Sequence, residues 1–243
     1  MKSSTACVPE QVHFYGRPLT PGLRKLQHVR SDTVLEVGCG DGAILAALIS
    51  QWPASPHRRV IGIDHSLDRC LAGTTLVPSS RFVVGHGQQL PIRSETCDIA
   101  LCDMLIEHVE DERGLLLELH RVLKPGSHLH LSTVVSTGRG WYWYRRNGRC
   151  ILDPDHVREY PSTEAVAELI RAARFQLVSA ARTRIRFSAA DLSIRLLLKA
   201  RLLQPTPQLR AIFVRSPWMA RLQRLLEFPV PGFYAVEVLA RKP

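Results

Sequence analysis

Nowhere in its 243 residues does the chain hold an uncharged apolar run long enough to cross a bilayer, which takes about 20 consecutive apolar residues. Met1 to Gln11 is polar, without the apolar core of a signal peptide, so a cytoplasmic location is expected. Any C-x-x-C pair or zinc-ligand rhythm is missing as well. Cys7, Cys39, Cys70, Cys97, Cys102 and Cys150 are scattered, and reduced thiols are the expected state. His128 and His130 alternate on a strand-like stretch, but no further donors accompany them at metal spacing. They read as ordinary strand residues, and no metal site is expected. Internal repeats and low-complexity segments are also absent. What is left is a chain long enough to bury a full sheet with helices on both faces, read as a single domain over 1–243.

The densest signal is Val34 to Gly42, Val-Leu-Glu-Val-Gly-Cys-Gly-Asp-Gly, followed at once by the helix-like run Ala43 to Trp52. An apolar strand that breaks into the alternating glycines Gly38, Gly40 and Gly42 describes a backbone turning tightly beneath a ligand. Gly38, Gly40 and Ala43 also satisfy the dinucleotide pattern G-x-G-x-x-G/A. Glu36 separates the two readings. A fixed carboxylate two residues before the first glycine repels a diphosphate and attracts a ligand bearing an ammonium and a sulfonium. A second apolar strand, Arg59 to Asp64, ends in an acid placed to take both ribose hydroxyls of such a ligand.

At these residues the chain resembles the class I S-adenosylmethionine-dependent methyltransferases of the type 11-like group. Their first motif, E/D-x-G-x-G-x-G, is met by Glu36, Gly38, Gly40 and Gly42. Phe82 to Pro91 is similar to the family's third contact loop, where an acid after glycine reads the adenine amine. Here His86 stands in that place, and a neutral imidazole can accept the same bond. Cys97 to Asp111 looks like the fourth strand and the following Glu-His pair, and Glu118 to Val134 like a helix, a Pro-Gly stop and a fifth strand. The likeness covers Val34 to Val135 strongly and the remainder loosely. It implies an α/β fold, a Rossmann-like seven-stranded methyltransferase sheet with helices on both faces and an antiparallel edge strand. It also implies S-adenosyl-L-methionine as cofactor, held by Glu36, Gly38, Cys39, Gly40, Asp64, His86, Gly87 and Cys102.

Charge is uneven along the chain. From Arg139 to the end there are 19 Lys plus Arg against 8 Asp plus Glu, a net of +11, whereas the preceding part has a net of −1. Such asymmetry points to an acidic partner or to a solvated basic face. Trp141 to Tyr160 is aromatic and basic around Asn147-Gly148 and leaves the fifth strand on the ligand side. Segment 139–161 is therefore expected to form part of the acceptor wall. Ser162 or Thr163 caps a helix through Arg174, Phe175 to Phe187 is strand-like, and Phe233 to Ala240 is a closing strand. Between the last two, a helical insertion is expected over 188–231, with basic amphipathic helices from Asp191 to Leu203 and from Ser216-Pro217 to Glu227. It is read as a lid packed over the site mouth, and contact with an anionic membrane surface is the weaker expectation.

Methyl transfer from a sulfonium needs alignment first, and a base only where the nucleophile must lose a proton. His108 and His156 are the candidates, since imidazole titrates near neutral pH. Cys102-Asp103-Met104-Leu105 is not the Asn/Asp-Pro-Pro-aromatic box of enzymes that methylate exocyclic amines or glutamine. A small-molecule, lipid or sugar (glycan) acceptor, methylated at oxygen, is therefore expected, and no obligate protein partner. The alternatives are RNA methylation, favoured by the basic half, and a non-catalytic S-adenosylmethionine-binding protein. A nucleotide-binding oxidoreductase is disfavoured by Glu36.

Overall fold

Alternation along the strands sorts side chains to two sides of one sheet. Along Val34-Leu35 and Ala100-Leu101-Cys102, successive residues enter different apolar clusters, as a period-2 backbone buried on both faces requires. The computed structural model describes residues 19–137 except 54 and 56, then 144–146, 149–153, 155–188, 193, 197, 200, 202 and 227–243. Its sheet is built from β1 (Thr33–Val37), β2 (Arg59–Asp64), β3 (Arg81–Val84), β4 (Cys97–Asp103), β5 (Leu123–Ser136), β8 (Gln176–Ser188) and β9 (Glu227–Arg241). The order is β3-β2-β1-β4-β5-β9-β8. The first five pair in parallel, and β9 runs antiparallel to both β5 and β8. The short strands β6 (Tyr144–Arg146) and β7 (Arg149–Ile151) form a separate antiparallel pair flanking Asn147-Gly148.

One side of the sheet is covered by α1 (Pro21–Leu26) and α2 (Ala43–Gln51), through Leu23, Leu26, Ile44, Leu45 and Leu48 against Val34, Val60, Ile99 and Leu101. The other is covered by α4 (Glu112–Val122) and α5 (Thr163–Ala172), through Leu115, Leu116, Leu119, Val166 and Ile170. Helix α3 (Leu67–Leu76) packs against β2 and β3. Local chemistry fixes the starts: Ser66 accepts from the Arg69 amide, Asp111 from that of Gly114 and Ser162 from that of Ala165. Among the described residues no helix is long and apolar enough to cross a membrane.

The closing strand differs from the expectation. It begins at Glu227, not Phe233, and Ser188 already pairs with it. The stretch between β8 and β9 is therefore 189–226, shorter than the expected 188–231. The early part of β9 includes Pro229 and Pro231, residues that donate no ladder hydrogen bond. They are tolerated because the β5 register stops at Ser136↔Phe233, so the start of β9 has only β8 as ladder neighbour. The backbone is helical at Ser193 and Leu197, while the second expected helix, from Ser216 on, lies outside the described residues.

Candidate functional site

The carboxyl ends of β1, β2 and β4 meet at the glycine turn. Gly38, Gly40 and Gly42 have φ of +73°, +53° and +78°, the left-handed region that side chains resist. The turn is pinned from beneath, since the Gly38 and Cys39 amides both donate to the Ile63 carbonyl at 2.8 and 3.0 Å. The three glycines differ in what surrounds them. A Cβ at Gly38 would lie 2.8 Å from Leu105 and one at Gly42 2.8 Å from Phe82, whereas one at Gly40 would meet nothing within 4 Å. Gly40 alone of the three opens on space.

Two buried carboxylates flank that opening. Glu36 pairs with Gly62 across β1 and β2 and is 1 % exposed. Asp64, 3 % exposed, takes the Gly40 amide on Oδ2 at 2.8 Å and the Ser66 amide on Oδ1 at 3.0 Å. Each carboxylate oxygen has a second lone pair, so two bonds leave capacity for two hydroxyl donors. His65 Nδ1 stands 3.5 Å from Asp64 Oδ1, and the His65 ring stacks on that of His86 with centroids 6.5 Å apart. His86 is exposed, on a loop closed by the Gln89 amide donating to its carbonyl.

The other expected cofactor residues can offer only main chain. Cys39 and Cys102 are buried in the two apolar clusters. Burial, with nearby carboxylates, pushes both thiols well above the usual cysteine range. Gly87 is enclosed, since a Cβ there would lie 2.7 Å from Leu115. The sequence did not show that the Cys39 and Cys102 side chains are buried in the core.

The two candidate histidines come together. His108 ends a single 3-10 turn, Ile106–His108, and His156 lies in the segment after β7. Their rings meet edge to face with centroids 4.8 Å apart. His108 is open to solvent on one side. Its partial burial, and next the His156 ring, hold its pKa below the usual histidine range. Beside them is Glu107, 0 % exposed, a residue the sequence reading left aside. Its Oε2 accepts from Thr133 Oγ1 at 2.9 Å, and burial pushes its carboxyl up to about 7. The acceptor-side segment is clamped on this turn: the Val157 amide donates to the Glu107 carbonyl at 2.8 Å, and Arg158 donates to the carbonyls of Ile106, Val109 and Glu110. Trp141 to Trp143, the aromatic start of that segment, lie outside the described residues.

The turn is close to the cluster in sequence and in space. Leu105, against which Gly38 packs, precedes Glu107 by two residues. Leu105 thus links the glycine turn to the segment that carries Glu107 and His108.

A family model described as a methyltransferase domain matches residues 35–131. The malonyl-[acyl-carrier protein] O-methyltransferase of a Marinomonas species is 25% identical over 158 residues, 62% of this chain and 55% of that one. A Mycolicibacterium smegmatis protein named as a probable S-adenosylmethionine-dependent methyltransferase is 33% identical over 150 residues, 59% of this chain and 52% of that one. The chain thus spans about half the length of these curated relatives. Among solved structures, a SAM-dependent methyltransferase from Methanosarcina mazei superposes with a TM-score of 0.59 at 16% identity, covering 93% of this chain and 99% of that one. That likeness concerns the fold. Strand order, glycine turn and domain match agree: residues 35–131 match a methyltransferase domain, on a fold shared with S-adenosylmethionine-dependent methyltransferases.

Proposed function

We propose that this methyltransferase moves the methyl group of S-adenosylmethionine to an oxygen of a small-molecule, lipid or sugar acceptor. The observation that carries the reading is the opening at Gly40, its amide bonded to buried Asp64, with buried Glu36 on the strand that leads into the turn. The cofactor's chemistry fits this turn. A cation is matched by Glu36, ribose hydroxyls by the spare lone pairs of Asp64, and close approach by the missing Cβ of Gly40. Gly38, Cys39, Gly87 and Cys102 shape the cleft through main chain. His86, on the exposed loop, is the side chain in reach of the adenine edge.

When bound, S-adenosylmethionine supplies an electrophilic methyl on a sulfonium. The protein's part is to align an acceptor oxygen in line with it, an effect worth up to about 7 to 11 kcal/mol in effective concentration. It must also remove the hydroxyl proton. His108 is held in its neutral form and faces solvent on one side, which suits an acceptor of that proton at neutral pH. Transfer to oxygen is supported by the relative named as an O-methyltransferase, and the lack of the Asn/Asp-Pro-Pro-aromatic box supports the same choice.

Calorimetric titration with S-adenosylhomocysteine and NAD tests the cofactor, followed by mass spectrometry of candidate acceptors after incubation with labelled S-adenosylmethionine. Micromolar or tighter binding of S-adenosylhomocysteine, none of NAD, and label recovered on oxygen are expected. Label on nitrogen, or on RNA alone, sinks the acceptor assignment.

A further inference from the structure

We propose that Glu107, His108 and His156 form a binding site for one divalent transition-metal cation, which holds and activates the acceptor oxygen. A ring nitrogen of each histidine and a carboxylate oxygen of Glu107 lie within 4.8 Å of one another. Donors around a single ion at about 2.0 to 2.2 Å stand roughly 3 to 3.5 Å apart, so small side-chain rotations close the set. A second observation points the same way. Glu107 Oε1 is buried and has no hydrogen-bond partner among the described residues, a costly state for a carboxylate oxygen unless something coordinates it.

The surroundings are those of a metal site too. His156 Nδ1 is 3.2 Å from Glu159 Oε1, and Glu159 is itself held by the Leu152 amide at 2.6 Å. His108 Nδ1 is 3.2 Å from the Asp155 carbonyl, and Thr133 Oγ1 donates to Glu107 Oε2 at 2.9 Å. Each donor group is thus gripped by an outer partner of the kind that orients metal ligands, a carboxylate or carbonyl behind each imidazole and a hydroxyl behind the carboxylate. With Nδ1 so engaged, Nε2 is the coordinating nitrogen of each ring in this arrangement. Two imidazoles and one carboxylate suit zinc, manganese, iron, cobalt or nickel. Magnesium and calcium favour all-oxygen sets.

Three protein ligands leave coordination positions open for substrate. An acceptor hydroxyl bound there loses its proton more readily. The oxygen then forms the new C–O bond as the S–C bond breaks. With the cation bound, His108 serves as its ligand and no longer as the base, so the proton passes to solvent, S-adenosylhomocysteine leaves, and the cation keeps its oxidation state. This inference rests on the proposed methyl transfer for its purpose, though the site itself does not.

The test uses full-length protein freed of metal with a chelator, then titrated with Co2+ alone by visible absorption and with Zn2+ alone by calorimetry. One ion per chain is expected, with d–d absorption in the cobalt form. His108→Ala, at an exposed position where folding is not at stake, should weaken binding at least tenfold, as should Glu107→Gln. Glu159→Gln should weaken it roughly 10- to 100-fold through His156. S-adenosylhomocysteine affinity, measured on the same samples, should not change. No binding of either ion, or binding that persists in both His108→Ala and Glu107→Gln, overturns the site. Loss traced instead to His86→Ala would assign the ion to the His65–His86 pair and overturns it equally. Failure of the parent protein to bind S-adenosylhomocysteine would count against the proposed function and leave the metal result standing by itself.

Discussion

Gly38 and Gly40 look alike in sequence and do different work. At Gly38 a methyl group would be driven into Leu105 at 2.8 Å and at a φ of +73°, so Gly38→Ala should destabilise the fold by about 1 to 3 kcal/mol. Urea unfolding measures this. Gly40→Val meets no neighbour but is strained at a φ of +53°, so it should cost about 1 to 3 kcal/mol of stability and abolish S-adenosylhomocysteine binding, read by calorimetry on the folded variant. Normal binding by Gly40→Val would remove the turn from the cofactor site. Asp64→Asn keeps an acceptor for the Gly40 amide and should still weaken binding by about 1.5 to 3 kcal/mol, the range for hydrogen bonds to a charged group. These residues were legible in the sequence because their chemistry is local, an acid, a strand end and glycines within a few positions. Glu107 with Thr133 was not, since 26 residues separate them and nothing in a linear pattern announces a pairing across two strand ends. His156 with His108 is the same case. The sequence offered each as a base but could not show that they touch.

Helix α4 does more than cover the sheet. From its last turn Arg121 donates to the carbonyls of Leu90 and Ile92 at 3.1 and 2.9 Å and bonds Glu118 Oε1 at 2.6 Å, while Glu118 Oε2 receives the Leu90 amide at 2.7 Å. The pair fastens the loop that leads from His86 and Gly87 to β4. Arg121→Ala should cost about 1 to 3 kcal/mol and lower cofactor affinity by slackening that loop, a result that calorimetry on the folded variant checks. The Arg121 hydrogen bond holds the Glu118 carboxyl below its ordinary 4.5. A depressed carboxyl contributes stability above its unfolded value and loses it as pH falls through the folded one. The stability gap between the parent and Glu118→Gln should therefore be full at pH 7 and shrink below pH 4.5. A gap constant from pH 7 to 3 would dismiss the ion pair as its source. Elements with strong periodicity or caps were readable: β2 has its expected bounds, and α2 and α5 end within two residues of theirs. The start of β9 was not, because Pro229 and Pro231 argue against strand unless one knows that β5 has already ended.

Part of the positive excess of the chain lies on the edge strand β8. Along β8, Arg182, Arg184 and Arg186 are exposed; Arg182 and Arg184 are two apart in regular register and share a face, and the register with β9 shifts before Arg186. Arg182 covers the Tyr234 ring at 4.4 Å, and Arg186 reaches Glu227 at 3.3 Å. Cosedimentation with anionic liposomes and with RNA, at low and high salt, reads what this side meets. Lipid contact through buried apolar area should partly survive salt, whereas RNA binding should fall steeply with it. No binding to either at low salt would leave the charge as a solubility feature. That excess was plain in the sequence, but the exposure of these arginines along β8 needed the structure.

The same ribbon has another consequence. Ser188 and Glu227 are ladder partners, so residues 189–226 leave and rejoin the framework at one rung. The stretch is a cassette, and a two-residue Asn-Gly turn is enough to close the gap behind it. Protein with 189–226 replaced by Asn-Gly should fold and retain S-adenosylhomocysteine affinity, which circular dichroism and calorimetry would show, and an unfolded product would refute it. Lineages of this chain are then free to lengthen, shorten or exchange the cassette while the strand ends at the same carboxyl edge of the sheet, which carry the glycine turn, stay fixed.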